Sequence, residues 1–247
     1  LTSPLFGSAT QAAPSKIYGE KVMSSYPDIQ RVDIYSPKTQ DRLEFEVKRE
    51  NGIWNARTLR LTKGRVMRAP NSNTPAPKLE AISLKGQTYH ELLTKCKERF
   101  ESETGEMAEI MDSRYINDRV EDWKVRLAHL FDLFERQLND RSFSVSKNRT
   151  VLMNEELMQK FFIKPVELQS MHVLKDGKTN LMLKPKGLWI VGANGRVDLM
   201  TPTDSYFLID TAEFGCESEW VIRDRRRNQT PLTTSVIRRI LTDGRIW

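Results

Sequence analysis

From Arg42 to Leu61 apolar and polar residues alternate with a period of two, and Asn51-Gly52 interrupts the run near its middle. Successive side chains of a strand point to opposite faces. Asn-Gly suits a two-residue type I′ turn, because both of its central residues take positive φ. The pattern predicts a hairpin of Arg42–Arg49 and Ile53–Leu61, with Phe45 opposite Thr58, Val47 opposite Ala56 and Arg49 opposite Trp54. Leu43, Phe45, Val47, Trp54 and Ala56 then share one face. Glu44, Glu46, Lys48, Asn55 and Arg57 share the other, where Glu46 and Arg57 can pair. Ile29–Tyr35 reads as a strand before this hairpin, entered from the turn residues Tyr26-Pro27-Asp28.

The period then lengthens. Thr88 followed by Glu91 is a capping box, and Tyr89, Leu92, Leu93, Cys96 and Phe100 recur at helical spacing until Gly105. A longer stripe of Val120, Trp123, Leu127, Leu130, Phe131, Phe134 and Leu138 predicts a helix from about Asn117 to Asn139 with one face in a core. Arg141–Thr150 reads as a basic connection. Asn154 is the expected cap of a short helix, Glu155–Phe162, whose Leu157, Met158, Phe161 and Phe162 face inward; Pro165 ends it.

From Val166 the period of two returns. Asp176-Gly177 and Asn194-Gly195 both read as type I′ turns. The second sets Leu188–Ala193 against Arg196–Thr201, with Val191 opposite Asp198 and Ile190 opposite Leu199. Tyr206–Ala212 and Glu219–Arg223 continue the meander. Thr230 is the expected cap of a last helix with Pro231 at its first position. Val236, Ile237, Ile240 and Leu241 pack there, Arg238 and Arg239 point outward, and Asp243-Gly244 ends it. The expected class is α+β: an N-terminal antiparallel hairpin sheet, a central helical pair, and a C-terminal antiparallel meander closed by a helix. The expected divisions are a tail or linker at 1–16, a hairpin subdomain at 17–80, a helical subdomain at 81–162 and a basic meander at 163–247. Residues 71–78, with Pro75 and Pro77, mark the first boundary.

A chain of 247 residues can bury a sizeable core. No window approaches the roughly eighteen apolar residues of a membrane helix, so no membrane partner is expected. The two cysteines, Cys96 and Cys216, are too few for a disulfide framework. They are expected to be packing residues of a protein in a reducing, cytoplasmic or otherwise intracellular setting. The net charge of +6 is unevenly spread. Residues 1–80 hold 13 Lys/Arg against 8 Asp/Glu, residues 81–140 hold 9 against 13, and residues 141–247 hold 17 against 12. Two basic β-rich ends therefore flank an acidic helical middle, a distribution that attracts polyanions.

The densest basic cluster is Arg223, Arg225, Arg226 and Arg227, with Arg238 and Arg239 on the closing helix. Arginine forks match phosphate oxygens and keep their charge at any working pH. Lys184 and Lys186 are expected in a turn beside this cluster. Arg57, Arg60, Lys63, Arg65 and Arg68 form a second group. Trp189, Tyr206 and Trp220 are candidate surfaces for bases. Strands, basic loops and aromatics together suit RNA or single-stranded DNA, held by backbone contacts within a larger assembly. The alternative is a protein-interaction scaffold whose arginine loop docks an acidic partner and whose acidic helices dock a basic one. His90, His129 and His172 have no ligand-like spacing to one another or to cysteine, and the sequence points to no cofactor, no metal and no catalytic constellation. One stretch, Gly195-Arg196-Val197-Asp198-Leu199 followed by Tyr206–Ala212, resembles the metal-binding core of the PD-(D/E)xK nucleases. That resemblance implies, as a further alternative, a metal-dependent nuclease with a degenerate core: a divalent ion held by Asp198 and Asp210, with Ala212 standing where the family has its lysine. Cross-strand ion pairs with Arg196 are the structural alternative for both carboxylates.

Overall fold

The computed structural model describes residues 29–62, 83–138, 142–190 and 193–246. The expected tail at 1–16, the boundary at 71–78, and Lys63, Arg65 and Arg68 lie outside the described residues. The class is α+β, with two antiparallel sheets of five and seven strands and four helices among the described residues.

The first sheet is built on the Asn-Gly hairpin. β1 (Ile29–Tyr35), β2 (Arg42–Glu50) and β3 (Ile53–Thr62) are followed by β4 (Ser83–Gly86), α1 (Tyr89–Thr104) and β5 (Glu109–Met111), in sheet order β4-β3-β2-β1-β5. Asn51 and Gly52 take φ of 50° and 80°. The register is the expected one: Phe45 faces Thr58, Val47 faces Ala56 and Arg49 faces Trp54. Leu43, Phe45, Val47, Trp54 and Ala56 are buried together against Leu92, Leu93, Cys96 and Phe100 of α1. The carboxylate of Glu46 pairs along its own strand with Lys48, at 3.1 Å. Thr88 Oγ1 accepts from the Glu91 amide (3.1 Å), Glu91 accepts from the Gln87 amide (2.8 Å), and Gly105 closes the helix at φ 71°.

The second sheet is one continuous meander. α2 (Ser113–Glu135) precedes β6 (Phe143–Met153), α3 (Glu156–Lys160), β7 (Val166–Lys175), β8 (Lys178–Gly187), β9 (Arg196–Met200), β10 (Ser205–Asp210), β11 (Trp220–Arg223), β12 (Gln229–Pro231) and α4 (Thr234–Asp243). Sheet order follows chain order from β6 to β12. Leu181, Leu183, Val197, Leu199, Tyr206, Leu208 and Ile222 alternate along the strands toward one face. That face packs on the apolar stripe of α2 and on Ile237, Ile240 and Leu241 of α4. The meander thus ends in a helix. α1 and α2, consecutive in the chain, pack on different sheets. The two units meet where Tyr35 of β1 and Met111 of β5 pack in the second core, and at Lys160 of α3, whose Nζ lies 2.7 Å from Asp33 and 3.0 Å from Glu44 of the first sheet. Burial lifts the Asp33 carboxyl above its ordinary pKa, against the pull of Lys160 and Arg42.

Several local expectations are corrected. Residues 143–153 form strand β6, not a connection. As an edge strand it is largely exposed on both sides, which erases the alternation that would announce it. α3 is capped by Glu155 without a side-chain bond, and Asn154 contributes only its carbonyl, to Gln159 Nε2. Phe161 is buried, but Phe162 leaves the helix at φ 59° and is 62% exposed. α2 begins four residues before the expected start because Asp112, not a later residue, accepts from the Tyr115 amide (2.9 Å). Thr230-Pro231 lies in β12, an edge position where proline's missing N–H costs no ladder bond. Thr233 caps α4 instead, three residues on. Cys96 is buried, whereas Cys216 is exposed rather than packed; both are free.

The largest correction concerns Asn194-Gly195. The turn Asp176-Gly177 is type I′, with φ of 50° and 75°, but Asn194-Gly195 is not a hairpin turn. β9 pairs with β8 at Leu183–Leu199 and Lys184–Asp198, so Leu199 faces Leu183 and Asp198 faces Lys184, and Ile190 bridges Ala193; Val191 lies outside the described residues. The carboxylate of Glu155 accepts the amides of Leu188 (2.7 Å) and Trp189 (3.3 Å), which draws this segment out of the sheet. Gly195 takes φ 126°, and a side chain there would overlap the ring of Trp123. Gly195→Ala combines that overlap with an unfavourable φ and is expected to cost roughly 2–4 kcal/mol, measured as a shift of the urea-unfolding midpoint.

Candidate functional site

The alternation that buries one face of the second sheet leaves a polar and aromatic set on the other. One rung crosses adjacent strands as Lys184, Asp198, Phe207, Arg223 and Gln229. The next holds Gly187, Arg196, Ile209, Val221 and Pro231. Arg196 Nε donates to Asp198 Oδ1 (2.7 Å), and its guanidinium carbon lies 4.1 Å from the centre of the Phe207 ring. Arg223 Nη2 donates to Gln229 Oε1 (2.7 Å). Lys184 and Lys186 are exposed on β8, so they belong to this strand face and not to a turn.

The chain then turns from β11 into β12. Asp224 Oδ1 and Oδ2 accept from the Asn228 amide and side chain, each at 2.8 Å, and Arg227 sits at φ 69°. This fixes a tight turn whose tip carries Arg225, Arg226 and Arg227, all exposed. None of the three makes a side-chain hydrogen bond or ion pair among the described residues. Arg225 also borders the β9–β10 turn, Thr201–Asp204. Arg223 on the strand face runs directly into this tip.

The helix arginines lie elsewhere. α4 packs on the buried face of the sheet, where Arg238 Nε donates to Gln137 Oε1 (3.0 Å) and Arg239 Nη1 donates to the Ile246 carbonyl (2.6 Å). They therefore lie across the sheet from Lys184 and Arg223, and the expected single patch of loop and helix arginines divides between two layers. Arg57 and Arg60 are exposed on β3 of the first sheet, with Lys63 and Arg65 outside the described residues. Of the aromatics, Tyr206 and Trp220 are buried in the second core, and Trp189 is half-buried against it. Sequence reasoning missed Arg196 and Phe207. Tyr206-Phe207-Leu208-Ile209 is apolar throughout, so parity gave no sign of which side faces out.

Asp198 and Asp210 are not brought together. Asp198 is on the open face with Arg196, while Asp210 is fully buried on the helix side. Arg126 of α2 donates to Asp210 Oδ2 (2.6 Å), and the amides of Ala212 (3.0 Å) and Glu219 (2.9 Å) donate to Oδ1. The cross-strand pairing expected of both acids is replaced by a pair within β9 for Asp198 and a helix-to-strand pair for Asp210. Among the described residues no group of three His, Cys, Asp or Glu side chains is placed to hold a metal ion.

Two further features lie elsewhere in the second unit. Ser170 and His172 of β7 are buried, with Ser170 Oγ donating to the Arg149 carbonyl (3.0 Å). Burial, reinforced by the charge of Arg149, pushes the His172 pKa below its ordinary value. On the far side of α2 a cleft of about 450 Å³ runs between Val125, His129, Leu133 and the loop 215–218. No helix among the described residues is long and apolar enough to cross a membrane. No family model, no curated protein and no solved structure matches the chain.

The two aspartates are expected to respond differently to replacement. Asp210→Ala leaves Arg126 buried without its partner and should destabilise by about 3–5 kcal/mol. Asp198→Ala, on a half-exposed face, should change stability by no more than about 0.5 kcal/mol; chemical denaturation of both variants makes the comparison. His172 gives a pH signature. Its folded pKa lies below the unfolded value of about 6.5. As pH falls through 6.5 the unfolded chain takes up a proton that the folded chain resists, so stability falls and then levels below the folded pKa. In His172→Gln that part of the slope between pH 7.5 and 5.5 should vanish.

Proposed function

We propose that this chain binds RNA or single-stranded DNA through backbone phosphates. The surface is the open face of the seven-stranded sheet together with the β11–β12 turn, and the chain serves as one module of a larger assembly. The observation that carries this reading is the state of Arg225, Arg226 and Arg227. A turn held by Asp224–Asn228 hydrogen bonds presents all three to solvent, and none of them forms an ion pair with a carboxylate among the described residues. Guanidinium groups left so concentrated repel one another unless an anion sits between them. Phosphate oxygens, with fork-matched geometry, are the natural ligand. Lys184, Lys186 and Arg223 extend the same charge along the adjoining face. The second basic group, at Arg57 and Arg60, belongs to the other sheet and is not needed for this interface.

Replacing Arg225, Arg226 and Arg227 together by alanine tests the reading. Affinity for a single-stranded oligonucleotide should drop at least tenfold near 0.1 M salt. The slope of log affinity against log salt should shrink by about 2, at roughly 0.7 for each phosphate no longer neutralised. Unchanged affinity and slope in fluorescence-anisotropy titrations would remove the proposed function.

A further inference from the structure

We infer that the Arg196–Phe207 stack is a shelf for an unpaired base, which makes the ligand a single strand engaged by its bases as well as its phosphates. This rests on the nucleic-acid reading above and adds to it a specific residue and a selection against duplex. The Arg196 guanidinium lies closer to its ring than any other cation does among the described pairs: 4.1 Å, against 5.0 Å for Arg119 over Phe214 and 5.9 Å for Arg49 over Trp54. Asp198 holds it from the side at 2.7 Å, and the Arg196 side chain keeps 30% of its surface exposed. The guanidinium carbon sits over the Phe207 ring, and the side chain keeps exposed surface that a base could meet. A guanidinium fixed in this way loses little further freedom when a base stacks on it, and arginine planes are an established surface for unstacked bases.

The surroundings fit the same ligand. Lys184 and Arg223 flank Asp198 and Phe207 in one rung. With strands about 4.8 Å apart, the two cations span roughly 14 Å, enough for a short run of phosphates on either side of the shelf. Ile209 and Val221 in the rung on one side, with Met182 and Met200 in the rung on the other, are half-buried and offer apolar contact to sugars and base edges. A base within a duplex is already stacked on both faces and cannot lie flat on a sheet without being flipped out.

Arg196→Lys keeps the charge and removes the planar stack. Oligo-U and oligo-dT affinities, measured by anisotropy at fixed salt, should fall roughly tenfold, in line with the loss of one stacked base, while the salt slope stays that of the wild type. Binding to a duplex of equal length should not change. Phe207→Leu, which removes the support beneath the guanidinium, should show the same selective loss; thermal unfolding of both variants shows whether they are folded. Wild-type affinity in folded Arg196→Lys, or equal losses on single strand and duplex, overturns the shelf. If the triple arginine replacement abolishes binding while Arg196→Lys does not, the proposed function stands and this inference alone falls. If neither replacement affects binding, both fall.

Discussion

A guanidinium at the margin of an apolar helix face holds the second sheet in shape. Arg126 borders the buried stripe of α2, on the side of Asp122, and is 3% exposed. Stripping such a group of water costs several kcal/mol, which only a full set of acceptors offsets. Arg126 has that set: the carboxylates of Asp122 and Asp210, each at 2.6 Å, and the carbonyls of Glu213 and Cys216. Asp210 takes two more amides, and its own backbone bonds to Asn194 and Gly195. The one pair thereby sets α2 against β10, the loop that leads to β11, and the path into β9. It also sets the open face. With Asp210 anchored toward the helix, the residue three positions earlier on the same strand must face the other way, and that residue is Phe207.

Hairpins whose turns require positive φ at two residues were legible in the sequence, because turn and alternation agree on one register. Asn51-Gly52 and Asp176-Gly177 are of this kind. Asn194-Gly195 has the same letters and a different cause. Its glycine is needed for close approach to Trp123, a neighbour 72 positions away that no local pattern encodes. Edge strands were hidden for a related reason. β6 and β12 bury little of either face, so they carry no period, and Pro231 mimics a helix start where it only tolerates an unpaired edge. The stripe of α2 was visible because its period is intact over many turns, yet the arginine at its margin could not be distinguished from a solvated one. The basic cluster was legible as composition but not as geometry. Whether Arg223 and Arg238 share a surface depends on which side of the sheet α4 covers.

The layer geometry explains why the charges sort as they do. α2 and α4 occupy one face of the second sheet, so the arginines of α4 reach their nearest acceptors there, a glutamine just beyond α2 and the chain's own backbone near Ile246. The other face has no covering layer among the described residues of the second unit, and lysine and arginine accumulate on it with one aspartate among them. The first sheet is attached through Met111 and Tyr35, which pack in the second core, and through Lys160, which reaches across to the buried Asp33 and to Glu44. An acid with so little exposure tolerates ionisation because a cation is held against it.

Arg126 and Arg196 make the contrast on which the proposed binding face rests. Both are arginines held by an aspartate, at 2.6 Å and 2.7 Å. The first has further acceptors at Asp122 and two carbonyls, and nothing of it remains for a ligand. The second has one carboxylate beside it and one ring beneath it, and keeps 30% of its side-chain surface exposed. Fixed orientation together with unused capacity is what recognition asks of a side chain, and a saturated group offers only the first. By that criterion Arg225, Arg226 and Arg227 offer capacity on a held turn, Arg196 offers both on a strand, and Arg126 serves the scaffold that presents them.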